Sequence, residues 1–349
     1  MSTRRIGLAG AGVIGRTHAA EIGRNPDCVL VGVADPTDAA RDFAASLGVV
    51  WYPTLVAMLD AGGLDAVIIA TPNDLHLPQA LDCMARGLPV LVEKPVATTV
   101  EQGEALAEAS VREGVAVLVG HHRRHNPIIA AARRVLAEGA LGELATASVI
   151  YTQAKPPEYF DLAWRTKNGS GGPVLINLIH EIDLIRFVCG EIASVQALTS
   201  NARREFDVED CAAVLLRLVN GALVTITLAD CAASPWSWDL ASGENPSYPK
   251  QPVPAQSHFL CGTKASLALP TLDFWSYDGR PDWFAPIRRE TLDVTRGNPY
   301  QIQLRHFLDV IAGRQAPLVS ASDATQTLRA TLAVKHAAAS GQIVELVGR

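Results

Sequence analysis

The chain lacks the features that mark a binder of nucleic acid, a membrane protein or a disulfide-stapled secreted domain. Basic residues are in the minority: 30 Lys and Arg against 36 Asp and Glu leave a formal charge of −6. A general nucleic-acid or anionic-surface binder normally carries a basic face, so neither class of partner is expected. No uninterrupted apolar run reaches the roughly 18 residues of a transmembrane helix, so no membrane span is expected. The opening MSTRRIGLAG has no apolar stretch ending in a small-residue cleavage site, and the expectation is a cytoplasmic protein. The six cysteines form no CxxC pair and read as buried, reduced thiols. His121, His122 and His125 are the one histidine cluster, and nothing nearby completes a usual ligand set, so no metal is expected. With 27 glycines and 21 prolines in 349 residues, nothing suggests a collagenous or low-complexity chain. The length suggests two domains with cores of their own.

Aromatic residues are scarce in one half only. Of the 6 Trp, 6 Tyr and 8 Phe, just Phe43, Trp51 and Tyr52 precede residue 150. The two halves are therefore expected to do different jobs.

The first third alternates strand and helix. Strands are expected at 4–9, 28–35, 64–72, 89–95 and 115–122, and helices at 14–24, 38–48, 73–87 and 98–114. Thr98 and Glu101 suggest a capping box for the last helix. The strands are nearly continuous apolar runs, as in a parallel sheet covered by helices on both faces. After the first strand, Gly10-Ala11-Gly12-Val13-Ile14-Gly15 matches GxGxxG and opens a helix. In that context the glycines suit a tight turn, a close approach of backbone to a pyrophosphate, and close helix–strand packing. Asp35 ends the second strand, 20 residues after Gly15, where a carboxylate can bind ribose hydroxyls and repel an extra phosphate. Pro36 and Thr37 follow it, with no adjacent arginine to welcome a 2′-phosphate. NAD is therefore expected in preference to NADP.

Two further motifs fall at strand ends, where ligands of open α/β sheets bind. One is Thr71-Pro72-Asn73 with His76; the other is Glu93-Lys94-Pro95. A lysine in a partly dry cleft can trade protons, though a solvated surface lysine is the plain alternative. A third constellation runs from Gly171 to Asp183. Read as one continuous helix, Leu175, Leu178, Ile179, Ile182 and Ile185 form an apolar stripe. His180 and Asp183 share another face, with Asn177 one turn before His180. A histidine flanked in this way suits acid–base work, or is a satisfied structural group.

The second half is β-rich. Strands are expected at 144–152 and 193–201. A hairpin over 212–230 should turn at Asn220-Gly221 in a two-residue type I′ turn, and a second hairpin should turn around Gly262-Thr263-Lys264. Helices near 299–313 and 322–340 follow. A basic helical connector, 123–143, places Arg123 and Arg124 just after the fifth strand as candidate substrate contacts. The segments 232–256 and 272–286 combine proline with aromatics and read as ordered loops. Trp164, Trp236 and Trp238 are candidate substrate contacts, with Tyr248, Trp275 and Trp283 as further candidate walls or packing residues.

GAGVIG with Asp35, TPN with His76, EKP, and GGP…N..H..D occur in this order and together resemble the Gfo/Idh/MocA oxidoreductases over nearly the whole chain. The resemblance implies an α/β fold: an N-terminal Rossmann doubly wound parallel sheet, residues 1–122, plus a C-terminal α+β domain, residues 123–349, with a large open mixed or antiparallel sheet for substrate binding and oligomerisation. It implies that Lys94 is the catalytic lysine, that His180 works beside it, and that the substrate is a sugar, cyclic polyol or related alcohol oxidised by hydride transfer to NAD. Many members carry Asp four residues before the histidine. Here that position is Ile176, Asn177 follows it, and Asp183 is left to orient His180. Other activities of the same fold are dihydrodiol oxidation, aldehyde or imine reduction, NAD-assisted glycoside cleavage and non-catalytic NAD sensing. A homodimer or homotetramer is expected.

Overall fold

The computed structural model describes residues 3–245, 248–249 and 251–346. The chain folds as two compact units: Met1–His125 with Asn298–Leu328, and Asn126–Gly297 with Arg329–Arg349.

In the first unit β1 (Arg4–Ala9), α1 (Val13–Arg24), β2 (Cys28–Ala34), α2 (Asp38–Ser46), β3 (Val50–Tyr52), α3 (Leu55–Ala61), β4 (Ala66–Ile69), α4 (His76–Met84), β5 (Val90–Val92), α5 (Val100–Glu113) and β6 (Val117–Val119) follow one another. The six strands form one sheet in the order β3-β2-β1-β4-β5-β6, parallel throughout. Ile6, Leu8, Val33, all of β4 and Leu118 are wholly buried, which is why these strands read as unbroken apolar runs. The order reverses between β1 and β4, and there the doubly wound fold opens its ligand crevice beyond the strand ends.

The expected α/β repeat is present, with an addition. β3 and α3 lie in a stretch for which no element was expected. Three residues at a sheet edge are too short to display a period. The cap of α5 is Thr99, not Thr98, because the Thr99 hydroxyl accepts from Gln102 N.

The second unit begins with α6 (Pro127–Ala137), β7 (Leu144–Thr152), a π-helical turn (Val174–Leu178), α7 (Ile179–Cys189), β8 (Ile192–Ser200), β9 (Cys211–Leu218) and β10 (Leu223–Ala229). It continues with α8 (Trp238–Ala241), β11 (His258–Gly262), β12 (Ala265–Leu269), β13 (Asp273–Tyr277) and β14 (Ile287–Thr291). Later come α9 (Pro299–Ile311), α10 (Ala321–Ser340) and β15 (Val344–Glu345), of which α9 belongs to the first unit. Nine strands form a mixed sheet in the order β14-β13-β12-β11-β7-β10-β9-β8-β15, antiparallel except for β7 beside β10. Its inner residues, such as Val149, Val214, Leu216, Ile226 and Leu267, pack with Leu178, Ile182 and Ile185 of the helical layer.

The structure departs from the sequence expectations at four points. First, not everything after residue 122 belongs to the second domain. Asn298–Leu328 returns to the first unit, where α9 packs on α1 and on the 3-10 turn His122–His125. Second, the β9–β10 turn is not type I′. Gly221 N donates to Leu218 O, so Val219 and Asn220 are its central residues, and only Gly221 has positive φ, +89°. Asn220 is instead held by its side chain, which donates to Cys189 O and accepts from Ala222 N. Third, Trp238 is wholly buried in the second core, with its indole N–H on Glu244, and presents no exposed face for stacking. Fourth, only Cys28, Cys83 and Cys189 are buried; Cys211, Cys231 and Cys261 are half-buried. Of the 232–256 stretch, Pro246, Ser247 and Lys250 lie outside the described residues.

Ile68 is fully enclosed in the middle of the parallel sheet. Ile68→Ala should cost about 2–5 kcal/mol, read as a lower midpoint of chemical denaturation.

Candidate active site

The first unit assembles a cofactor cradle at the end of β1. Gly10 has φ +89°, and a Cβ there would lie 2.4 Å from Ala70 O. A Cβ on Gly15 would lie 2.0 Å from Gly10 O, so the helix packs against the turn only with glycine at that point. Gly12 is different: no atom lies within 4 Å of the place a Cβ would take. Gly12 caps α1, and Val13, the first helical residue, is 81% exposed. The result is an open backbone cradle at a helix N-terminus, with N–H groups that have no intrahelical partner and the positive end of the dipole. The residues present thus fit the pyrophosphate of a dinucleotide.

Asp35 stands beside this cradle. Its Oδ2 accepts from Ala11 N at 2.9 Å, and its Oδ1 accepts from Thr37 N and Oγ1 at 2.9 and 2.7 Å. Partial burial would raise its pKa, but those hydrogen bonds and the charge of Arg16 win, and the carboxyl is held below its ordinary range. Arg16 is one residue that sequence reasoning missed. It follows Gly15 on α1, so the helix carries it to Asp35 although 19 positions separate the two. Its guanidinium donates to Ala11 O and lies 4.3 Å over the Phe43 ring.

The strand-end motifs are tied together from behind. His76 is wholly buried and spans two of them: Nδ1 lies 2.8 Å from Pro95 O and Nε2 lies 3.0 Å from Thr71 O. Burial, the largest influence, pushes its pKa down despite both carbonyls. A neutral imidazole has one N–H for these two acceptors. His76 therefore sits as a clamp between the Thr71-Pro72-Asn73 turn and the Lys94–Pro95 peptide, which is cis. Glu93 is also buried. Its Oε1 lies 2.8 Å from His18 Nε2, and its Oε2 accepts from Lys94 N. Burial would raise the Glu93 pKa, but the hydrogen bond and charge of His18 and the charge of Lys94 hold it low. Lys94 itself is half-buried. Arg123 and Arg124 are both buried, and Arg124 pairs with Asp323 inside the first unit, a structural placement.

The second unit presents its own polar cluster. The stretch read as one helix is broken by the π turn, which holds Asn177; α7 then carries His180 and Asp183. All three are buried. Asn177 is engaged away from His180: its Oδ1 accepts from Lys155 Nζ at 2.7 Å and its Nδ2 donates to Tyr151 Oη at 2.6 Å. Tyr151 donates in turn to Asp239 at 2.6 Å and accepts from Gln153. Lys155 is a second residue that sequence reasoning missed. Burial, the leading influence, lowers its pKa, while Asp230, at 3.4 Å, works the other way. Its ammonium also lies 4.5 Å over the Tyr159 ring. The alternation of β7, continued past its end to residue 155, is the signal that could have flagged it. Trp164 and Trp236 are substantially exposed, as a stacking role requires, and Trp283 stands almost free at 87%.

Residues 4–121 match the oxidoreductase family model with an NAD-binding Rossmann fold, and 129–267 match the GFO/IDH/MocA C-terminal domain. The rhizopine catabolism protein MocA of Rhizobium meliloti is 33% identical over 55% of this chain, which spans 59% of that protein's length. Inositol 2-dehydrogenase 4 of Saccharopolyspora erythraea is 32% identical over 65% of this chain and 68% of its own. The WlbA dehydrogenase of Bordetella pertussis, solved with NADH and UDP-GlcNAcA, shares the fold: its TM-score is 0.80 at 24% identity, covering 99% of this chain and 100% of its own. The chain belongs to the Gfo/Idh/MocA family of NAD-binding oxidoreductases.

Because Glu93 is ionised at lower pH in the folded protein than in the unfolded chain, the unfolded state takes up the extra proton as pH falls. The stabilisation is complete above the ordinary carboxylate range and is lost below it. Chemical denaturation between about pH 6 and about pH 4 should show wild type losing stability more steeply than Glu93→Gln, which starts lower.

Proposed function

We propose that this Gfo/Idh/MocA oxidoreductase uses NAD to oxidise a ring hydroxyl of a cyclic polyol or sugar, with Lys94 and His180 sharing the acid–base work. The observation that carries the cofactor side is the open cradle at Gly12 with the ionised Asp35 beside it. The substrate class is supported by the inositol dehydrogenase among the relatives.

When bound, NAD supplies the hydride acceptor. The turn Gly10-Ala11-Gly12-Val13-Ile14-Gly15 holds the pyrophosphate on backbone N–H groups, and Asp35 accepts from the ribose hydroxyls. Thr71, Pro72, Asn73, Glu93 and Pro95 shape the crevice beyond β4 and β5, with His76 as its rear clamp. The substrate is an alcohol carbon bearing hydrogen and hydroxyl. As the hydride departs, His180 takes the hydroxyl proton and the C–O bond becomes a carbonyl. The Lys94 ammonium stabilises the developing alkoxide. Asp183 orients the His180 ring. Asn177 acts at one remove, because its amide is committed to Lys155 and Tyr151.

The preference for NAD over NADP rests on charge. Asp35 repels a 2′-phosphate, whereas Arg16 offsets part of that repulsion, so the preference is moderate rather than absolute.

Lys94→Ala and His180→Ala should each lower kcat/KM by about 10²-fold or more in a 340 nm assay over a panel of inositols and aldoses. Near wild-type turnover by both would overturn their assignment. Asp35→Ser should raise the KM for NAD and narrow the NAD/NADP ratio; an unchanged ratio would remove Asp35 from cofactor selection.

A further inference from the structure

Cys211 and Cys231 are 20 positions apart in a chain without a CxxC pair, yet the sheet brings them together. Cys211 opens β9 opposite Ala229 of β10, and Cys231 lies two residues beyond Ala229, on the same face. Their sulfurs are 3.5 Å apart. A disulfide needs about 2.05 Å. Two thiolates bound to one ion at about 2.3 Å each, and 3.5 Å from one another, subtend an angle of about 100° at the metal, close to tetrahedral.

The neighbouring carboxylate supplies a third donor. Asp210 is 1% exposed. Its Oδ2 accepts from Arg203 N and Arg204 N at 2.8 and 2.9 Å; its buried Oδ1 meets no N–H or O–H donor, and the Cys211 thiol is hydrogen-bonded to the same carboxyl group. One Asp210 oxygen and both sulfurs lie within 4.8 Å of one another. The thiol and the carboxylate thus already face one another, and a cation could take the place of the thiol proton between them. The donor set, two sulfurs and one oxygen, suits zinc and its chemical relatives and not magnesium or calcium.

We propose that Asp210, Cys211 and Cys231 bind a soft divalent cation of the zinc class, with three protein ligands and a fourth position for water. On binding, each thiol gives its proton to solvent. One cation, two thiols and one carboxylate thus become a bis-thiolate complex of charge −1 plus two protons, and affinity rises with pH. Arg204, bound to Asp230 at 3.1 Å, supplies compensating positive charge one residue from Cys231. The cation would pin three strand ends at once. Cys211 starts β9, Cys231 follows β10, and Cys231 also bridges to Ala154 beyond β7. The next residues, Lys155 and Asp230, belong to the polar cluster that holds Asn177, so the ion would brace that cluster from outside.

The test uses the untagged, full-length protein, reduced and stripped with a chelator, then titrated with Co²⁺ and with Zn²⁺. One equivalent of Co²⁺ should produce a thiolate-to-cobalt charge-transfer band in the near ultraviolet, which Zn²⁺ should abolish by displacement. Cys211→Ser and Cys231→Ser should lose the band, Asp210→Asn should weaken binding at least tenfold, and Cys261→Ser should retain both band and affinity. Zn²⁺ should raise the melting temperature of wild type and not that of the two cysteine variants. Absence of the band in reduced wild type would overturn the proposal whatever the variants do. So would its persistence in both cysteine variants, or peptide mapping that finds a Cys211–Cys231 disulfide in the protein as isolated.

Discussion

Just beyond the end of β5, a carboxylate with 4% of its surface accessible has to remain charged. Glu93 can do so because His18 reaches it from α1, the helix that opens on the glycine turn, and because Lys94 donates its backbone N–H to the same group. There is no spare room: a Cβ on Gly120, just past β6, would lie 2.8 Å from Glu93 Oε1. One ion therefore fixes the helix behind the cofactor cradle, the peptide bearing the candidate catalytic lysine and the chain leaving β6. Losing one partner of such a pair leaves an uncompensated buried charge, which costs several kcal/mol. His76 performs the neutral version of this task between β4 and Pro95.

The second unit solves a similar problem with a network. Lys155, Asn177, Tyr151, Gln153, Asp239 and Ser237 are joined by successive hydrogen bonds. Such a network rigidifies a core only when every member is satisfied. It starts on β7 and closes on the π turn, so the turn that interrupts the helix is also where the network reaches Asn177. π turns inside helices occur frequently at functional sites. Here the turn separates Asn177, committed to the sheet, from His180, carried by the regular helix that follows.

Much of this was written in local pattern. GxGxxG followed by an acid at the end of the next strand has a direct steric and electrostatic meaning; the structure shows the tight approaches at Gly10 and Gly15 and sets Asp35 against the same turn. The apolar runs of β1, β2 and β4 were equally legible, because parallel strands are buried on both faces. What escaped is what depends on distance along the chain. Arg16 meets Asp35 only after α1 has packed, and Lys155 meets Asn177 only after β7 and the π turn are assembled. Trp238 resembled a pocket wall because side-chain type says nothing of burial. The register slip at Val174–Leu178 was invisible to a reading that assumed 100° per residue. The loop at Val219–Gly221 was misread because Asn-Gly also suits a turn in which only the glycine is left-handed.

The return of Asn298–Leu328 to the first unit bears on how the protein is made. His122 stacks on Tyr300 at 4.3 Å, Arg124 pairs with Asp323, and Glu21 accepts from Asn298. During synthesis, the ribosome releases the sheet of the first unit early, but α9 emerges only after almost the whole second unit. The nascent cofactor unit must therefore wait, with the α1 surface and the buried arginine still uncovered. Its last step of assembly is thus timed by translation of the other unit rather than by its own strands.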